Sequence, residues 1–169
     1  MRYLAFLQLL FSSLLCSGQT HQKEIIQLYD QSIHNVSSFI KQDSFLQLSI
    51  IKAKKHAPEM AVPLLQFRSF VKQQQNQFDD ALQIANEAVE FAQKSKLDKK
   101  VIYRDALSNL ALCYIYAGLY DSAKLIVDRG FLLAKLEKDT FNLSILLTLK
   151  ALHFAWKKVD FDLNPVFDS

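Results

Sequence analysis

Four histidines, His21, His34, His56 and His153, are the obvious metal-binding side chains in the chain, and no two of them stand four apart as on a zinc-binding helix. The paired carboxylates, Asp79 with Asp80 and Glu87 with Glu90, sit where a helix carries first-turn acids and a solvated face. General acid or base work needs a partner and a pocket beside such a group, and the sequence supplies neither. Glycines fail in the same way, since nucleotide loops and nucleophile elbows need them clustered and Gly18, Gly118 and Gly130 are isolated. Cys113 stands in the apolar run Leu110-Ala111-Leu112-Cys113-Tyr114, where a free thiol behaves as a small buried hydrophobe. The reading is a non-enzymatic chain with no catalytic group, no cofactor and no metal site. Two triplets, Asn35-Val36-Ser37 and Asn142-Leu143-Ser144, match the glycosylation acceptor pattern but fall inside predicted helices.

What remains is architecture. Residues 1–18 read as a secretory signal peptide: Arg2, an apolar run from Tyr3 to Leu15, then Cys16-Ser17-Gly18. That run is too short to span a bilayer. A lipidated Cys16 is the weaker alternative, because Ser13 and Leu15 stand where lipoprotein signals place an aliphatic and a small residue. Cleavage leaves about 150 residues, enough for one domain burying roughly 68–70% of its unfolded surface. The chain's 20 Lys and Arg, less Arg2, nearly balance 17 Asp and Glu, so neither nucleic acid nor an anionic membrane is an expected partner. The expected location is periplasmic or extracellular, with no membrane insertion after cleavage.

Half the residues are hydrophobic, and after the signal only Gly118, Gly130, Pro58, Pro63 and Pro165 interrupt the pattern. That scarcity of turn chemistry argues against sheets, and apolar spacings of three and four predict successive helices. The expected spans are 23–40, 43–55, 64–74, 79–94, 101–117, 121–138 and 140–157, with the clearest break from Ala57-Pro58 to Val62-Pro63. Asn76 and Gly118 are the turn residues suited to a left-handed conformation. The stretch 95–100 is expected to face solvent.

Two of these helices carry one pattern. Phe78, Ala81, Ala85, Ala88 and Ala92 are matched 42 residues later by Tyr120, Ala123, Val127, Gly130 and Ala134. Such a repeat is the mark of stacked helix pairs. With Leu107, Leu110, Ala111 and Tyr114 before it and Gly118 at its turn, residues 104–137 resemble a tetratricopeptide repeat, apart from Gly130 where the family prefers Ala. A second unit fits at about 64–97, its first helix only after a one-residue shift that aligns Leu64, Phe67 and Val71 with Leu107, Leu110 and Tyr114. Unshifted, Arg68 and Lys72 fall on core positions. Partial units are expected at 23–57 and 140–164, and the unit length exceeds the family's common length of about 34. The resemblance implies an all-α domain over residues 19–169, an antiparallel helix-pair solenoid of about three repeats. It also implies binding of a protein or peptide partner by the first helix of each pair. Asp105, Ser108, Asn109, Leu112, Ile115 and Tyr116 are the off-core candidates there, with Asn109 and Tyr116 preferred for a hydrogen bond and a large amphipathic surface. An alternative places the domain as the input region of a larger bacterial envelope signalling protein.

Overall fold

The computed structural model describes residues 20–35, 38–97 and 101–152. The signal segment with Cys16, the pair Val36-Ser37, residues 98–100 and everything from His153 onward, including the rest of the expected seventh helix, lie outside the described residues. The described chain is all-helical, without a strand: α1 Thr20–His34, α2 Phe39–His56, α3 Pro58–Gln74, α4 Phe78–Lys94, α5 Val101–Tyr116, α6 Tyr120–Leu136, and α7, residues 140–152. From α1 through α6 successive helices pack on one another, and α3 also touches α5. Among the described residues no helix is long and apolar enough to cross a membrane.

The small-residue stripes explain the packing. Ala81, Ala85, Ala88 and Ala92 on α4 and Ala123 and Ala134 on α6 are fully buried, with Val127 nearly so, because a side chain of one carbon lets the neighbouring helix axis close in. A large apolar cluster runs from Ile25 on α1 to Cys113 on α5 and takes in Leu107 and Leu110. A smaller one joins Ala111 and Ile115 of α5 to α6 and to Leu146 and Leu149 of α7. Half-buried Tyr114 packs against both. Gly130 has a use here: a Cβ on it would stand 3.1 Å from Leu146 Cδ2 and 3.7 Å from Leu107 Cβ. Its bare backbone admits Leu146 of α7.

Four helix ends share one geometry. Asn76, Lys96, Gly118 and Lys138 have φ of 58°, 58°, 72° and 54°. The next N–H in each case reaches back to the carbonyl five residues earlier, in Gln77 to Lys72, Leu97 to Ala92, Leu119 to Tyr114 and Asp139 to Ala134, at 2.8–3.0 Å. This is the Schellman end, which satisfies the last carbonyls of a helix. Lysine adopts that conformation at a steric cost of roughly 1–2 kcal/mol. Lys138→Gly should therefore raise stability by about 1 kcal/mol, while Gly118→Ala, where a Cβ meets nothing within 4 Å, should lower it. Thermal melts of the two variants check the pair, and a destabilised Lys138→Gly contradicts it.

Four sequence expectations need correction. The first helix ends at His34, and the second starts at Phe39. Asn35 turns the chain there, its side chain bonded back to the Gln31 carbonyl, and Ile40 is left 82% exposed. The expected break at 57–63 is the single residue Ala57. Pro58 takes the first turn of α3, where its missing N–H costs nothing, and Pro63 is carried inside the helix at the loss of one backbone bond. The one-residue shift is not needed either. Helix ends, positive-φ turns and buried pairs such as Leu65 with Leu107 and Ser69 with Ala111 all match at the unshifted 42-residue offset. Arg68 and Lys72 do point inward, where Asp43 of α2 receives both, Arg68 Nε at 2.7 Å and Lys72 Nζ at 3.4 Å. Burial pushes the Asp43 carboxyl up, but the hydrogen bond and charge of Arg68, then of Lys72, hold it below the usual carboxylate range. Finally, Leu97 in the stretch expected to face solvent is buried, as the apolar residue that follows a Schellman turn often is.

Candidate functional site

A cavity of about 300 Å³ opens between the C-terminal turns of α3, the start of α4 and one face of α5. Phe70, Gln73 and Gln74 come from α3, Asn76 and Phe78 from the turn into α4, and Asn109, Leu112 and Tyr116 from α5. Phe70 and Leu112 stand 42 residues apart, as do Gln74 and Tyr116, so positions at the spacing of the sequence pattern face the same space from α3 and α5. The rings of Phe78 and Tyr116 lie 6.1 Å apart with 29° between their planes, forming one wall. None of the lining side chains is charged.

The polar groups divide between floor and mouth. Ser69 Oγ donates to the Ala81 carbonyl at 2.9 Å and lies 3.3 Å from Cys113 Sγ, and Gln73 Nε2 donates to the same sulfur at 3.1 Å. Cys113 is a buried free thiol beneath the cavity, and burial pushes its pKa up. Asn109 is only 4% exposed, and its Nδ2 has no hydrogen-bond partner among the described residues. Tyr116 is 41% exposed at the mouth.

Three of the six residues expected to meet a partner line this cavity: Asn109, Leu112 and Tyr116. The other three do not. Ile115 is 1% exposed inside the smaller apolar cluster. Ser108 is buried, with its Oγ on the Arg104 carbonyl. The off-core assignment fails for them because α5 is enclosed by α3, α4, α6 and α7 and has no continuous outer face. A helix apolar on every side is a buried one. Asp105 belongs to a separate polar junction between α5 and α7. Arg104 Nε donates to Asp139 Oδ2 at 2.8 Å, and both side chains are nearly buried. Fully buried Asn142 donates its backbone N–H to Asp139 Oδ1 at 3.1 Å and its Nδ2 to Oδ2 at 2.9 Å. Asp139 is thus the N-cap of α7 and the counter-ion of Arg104 at once. Burial pushes the Asp139 carboxyl up, but these bonds and the Arg104 charge hold it below the usual range. Burial, opposed by a hydrogen bond from Asn142 and reinforced by the charge of Asp139, pushes Asp105 up to about 6.

Phe70, Gln73, Gln74, Asn76 and Phe78 were not among the expected contact residues. The run Gln73-Gln74-Gln75-Asn76-Gln77 reads in sequence as a turn alone, and Phe78 as a packing residue. The unshifted offset finds two of them, carrying Leu112 back to Phe70 and Tyr116 back to Gln74; nothing in the pattern points to Gln73, Asn76 or Phe78 as lining residues. No group of three or more His, Cys, Asp or Glu among the described residues is arranged to hold a metal ion. His21 and His56, near the start of α1 and at the end of α2, stack at 3.9 Å. No protein-family model matches the chain, and no curated protein matches it.

Proposed function

We propose that this chain is an exported, non-catalytic binding scaffold, a tetratricopeptide-like stack of about three helix pairs whose α3–α5 groove holds a segment of another protein. The observation that carries the reading is the cavity lined by Phe70 and Leu112 and by Gln74 and Tyr116, equivalent positions of two successive units. Repeating units of this kind generate a continuous binding surface without any catalytic residue. Preformed helices recognise a peptide by groove insertion, with apolar anchors and a few oriented amides. The uncharged lining and the near-neutral balance of the chain fit a peptide better than nucleic acid.

Buried Asn109 is a poor site for a charge, so the disrupting substitutions belong at the mouth. Lysine at exposed Gln74 and at Tyr116 should weaken binding of a purified partner segment by about tenfold each and leave the circular dichroism spectrum and melting midpoint nearly unchanged. The partner is obtained by placing a photo-reactive side chain at Gln74 in the full-length protein in its native envelope and sequencing the crosslinked peptide. Unchanged affinity in the folded double variant would mean that the partner binds elsewhere.

A further inference from the structure

The groove reading leaves open what kind of segment the cavity accepts, and the choice of segment rests on that reading. We propose that the α3–α5 cavity receives one uncharged, internal peptide group together with a neighbouring apolar side chain, and not a chain terminus or a charged side chain.

The hydrogen-bonding groups in the walls point to a peptide group. Asn109 is buried at 4% exposure, it lines the cavity, and its Nδ2 donor has no partner among the described residues. A buried donor left unmade is unfavourable, and native chains retain few of them. An acceptor arriving from outside removes that penalty. Gln73 on α3 gives one Nε2 hydrogen to Cys113 Sγ, which leaves its amide oxygen and its second N–H to meet a ligand. Asn109 therefore offers a donor, and Gln73 can offer the acceptor. A peptide group presents one C=O and one N–H, the complement of that pair.

Charge and size narrow the occupant further. Carboxylates are recognised by Arg or Lys forks, or by clustered backbone N–H groups. The lining has no cation, and Lys72, beside Gln73 in sequence, is turned to Asp43 and to Gln77 Oε1. It has no carboxylate to hold an amine either. Phe70, Phe78, Leu112 and Tyr116 supply apolar walls, on which an aromatic or aliphatic side chain loses water-exposed surface. A volume of about 300 Å³ lies at the small end of ligand sites, suited to one or two residues of an extended chain.

The test titrates the full-length exported protein with two probes that share a ring and differ in charge, N-acetyl-phenylalanine N-methylamide and N-acetyl-phenylalaninate, followed by the side-chain amide resonances of Asn109 and Gln73. The blocked probe should saturate and move both resonances, and the carboxylate should bind at least about tenfold more weakly. Asn109→Leu, close in size and without the amide, should weaken the blocked probe by about tenfold while raising the melting temperature, because a partnerless donor has been removed. A purely structural Asn109 would give the opposite signs: a lower melting temperature and unchanged binding. Equal or tighter binding of the carboxylate, failure of the blocked probe to saturate at its solubility limit, or an unmoved affinity in Asn109→Leu overturns the proposal. If the crosslinked partner maps to Gln74 while the carboxylate probe binds better, the ligand chemistry is wrong and the groove reading stands. If the partner maps to another face, the groove reading falls as well.

Discussion

Alanine at Asp139 should lower the free energy of unfolding by about 3–5 kcal/mol, the usual consequence of leaving one member of a buried ion pair behind, plus about 1 kcal/mol for the lost N-cap of α7. The Arg104 side chain is only 6% exposed, so its guanidinium cannot recover the lost partner by turning to solvent. The pH dependence has a definite sign. The Asp139 carboxyl is held below its ordinary range in the folded state, so its stabilisation is present above the unfolded pKa of about 3.9 and is lost as pH falls through the lower folded value. The gap between wild type and Asp139→Ala in urea midpoint should therefore narrow in strong acid. A second variant separates charge from cap. Arg104→Met with Asp139→Ser keeps a capping oxygen and removes both charges, and it should recover most of the loss. If the double variant is as unstable as Asp139→Ala, the pair is not the source of the effect.

Asn at Asp105 should act in the opposite direction. Burial raises this carboxyl to about 6, from about 3.9 in an unfolded chain. A raised folded pKa means that the contribution is complete below the unfolded value and is lost as pH rises through the folded one. Wild-type stability should decline between about pH 4 and 6 by about 2–3 kcal/mol on this group's account, since each pH unit separating the folded and unfolded values is worth roughly 1.4 kcal/mol. The groups facing Asp105 are Arg104 on its own helix and Asp139 and Asn142 from the α7 side. Asp105→Asn retains an amide for Asn142 and removes the proton, so it should be the more stable protein at pH 7.5 and should lack that decline. Unfolding curves at four or five pH values decide it, and a variant with the wild-type slope would assign the titration to another group.

Both effects arise where the sequence was hardest to read. The alanine stripe of α4, the turns at Asn76 and Gly118 and the all-helical character were legible because each is local. Periodicity needs only a few turns of chain, and a left-handed residue announces itself by type. The register of α3 was not legible, because Asp43, the counter-ion of Arg68 and Lys72, lies on the preceding helix, 25 residues before Arg68, and an ionic partner at that distance leaves no periodic trace. Asp105, Ser108 and Ile115 were assigned to an outer face that α5 does not have, since counting positions around one helix cannot reveal how many neighbours surround it. Asn109, Leu112 and Tyr116 were found by the same counting and do line the cavity. Phe70 and Gln74, the counterparts of Leu112 and Tyr116 on α3, were hidden by the one-residue shift. Pro63 shows a limit of a different kind, as a breaker near the start of a helix costs one backbone bond where tertiary packing outweighs it.

Cys113 turns the floor of the cavity into a clock. It is the free cysteine among the described residues, and it is shut behind Gln73 and Ser69 with its thiol shifted away from ionisation. Only the thiolate attacks a disulfide reagent, so labelling requires α3 and α5 to part first. When closing is fast relative to attack, the labelling rate divided by that of a free thiol gives the equilibrium constant for that opening. The protein thus carries its own gauge of how often α3 and α5 separate, readable with a colourless reagent and no introduced probe.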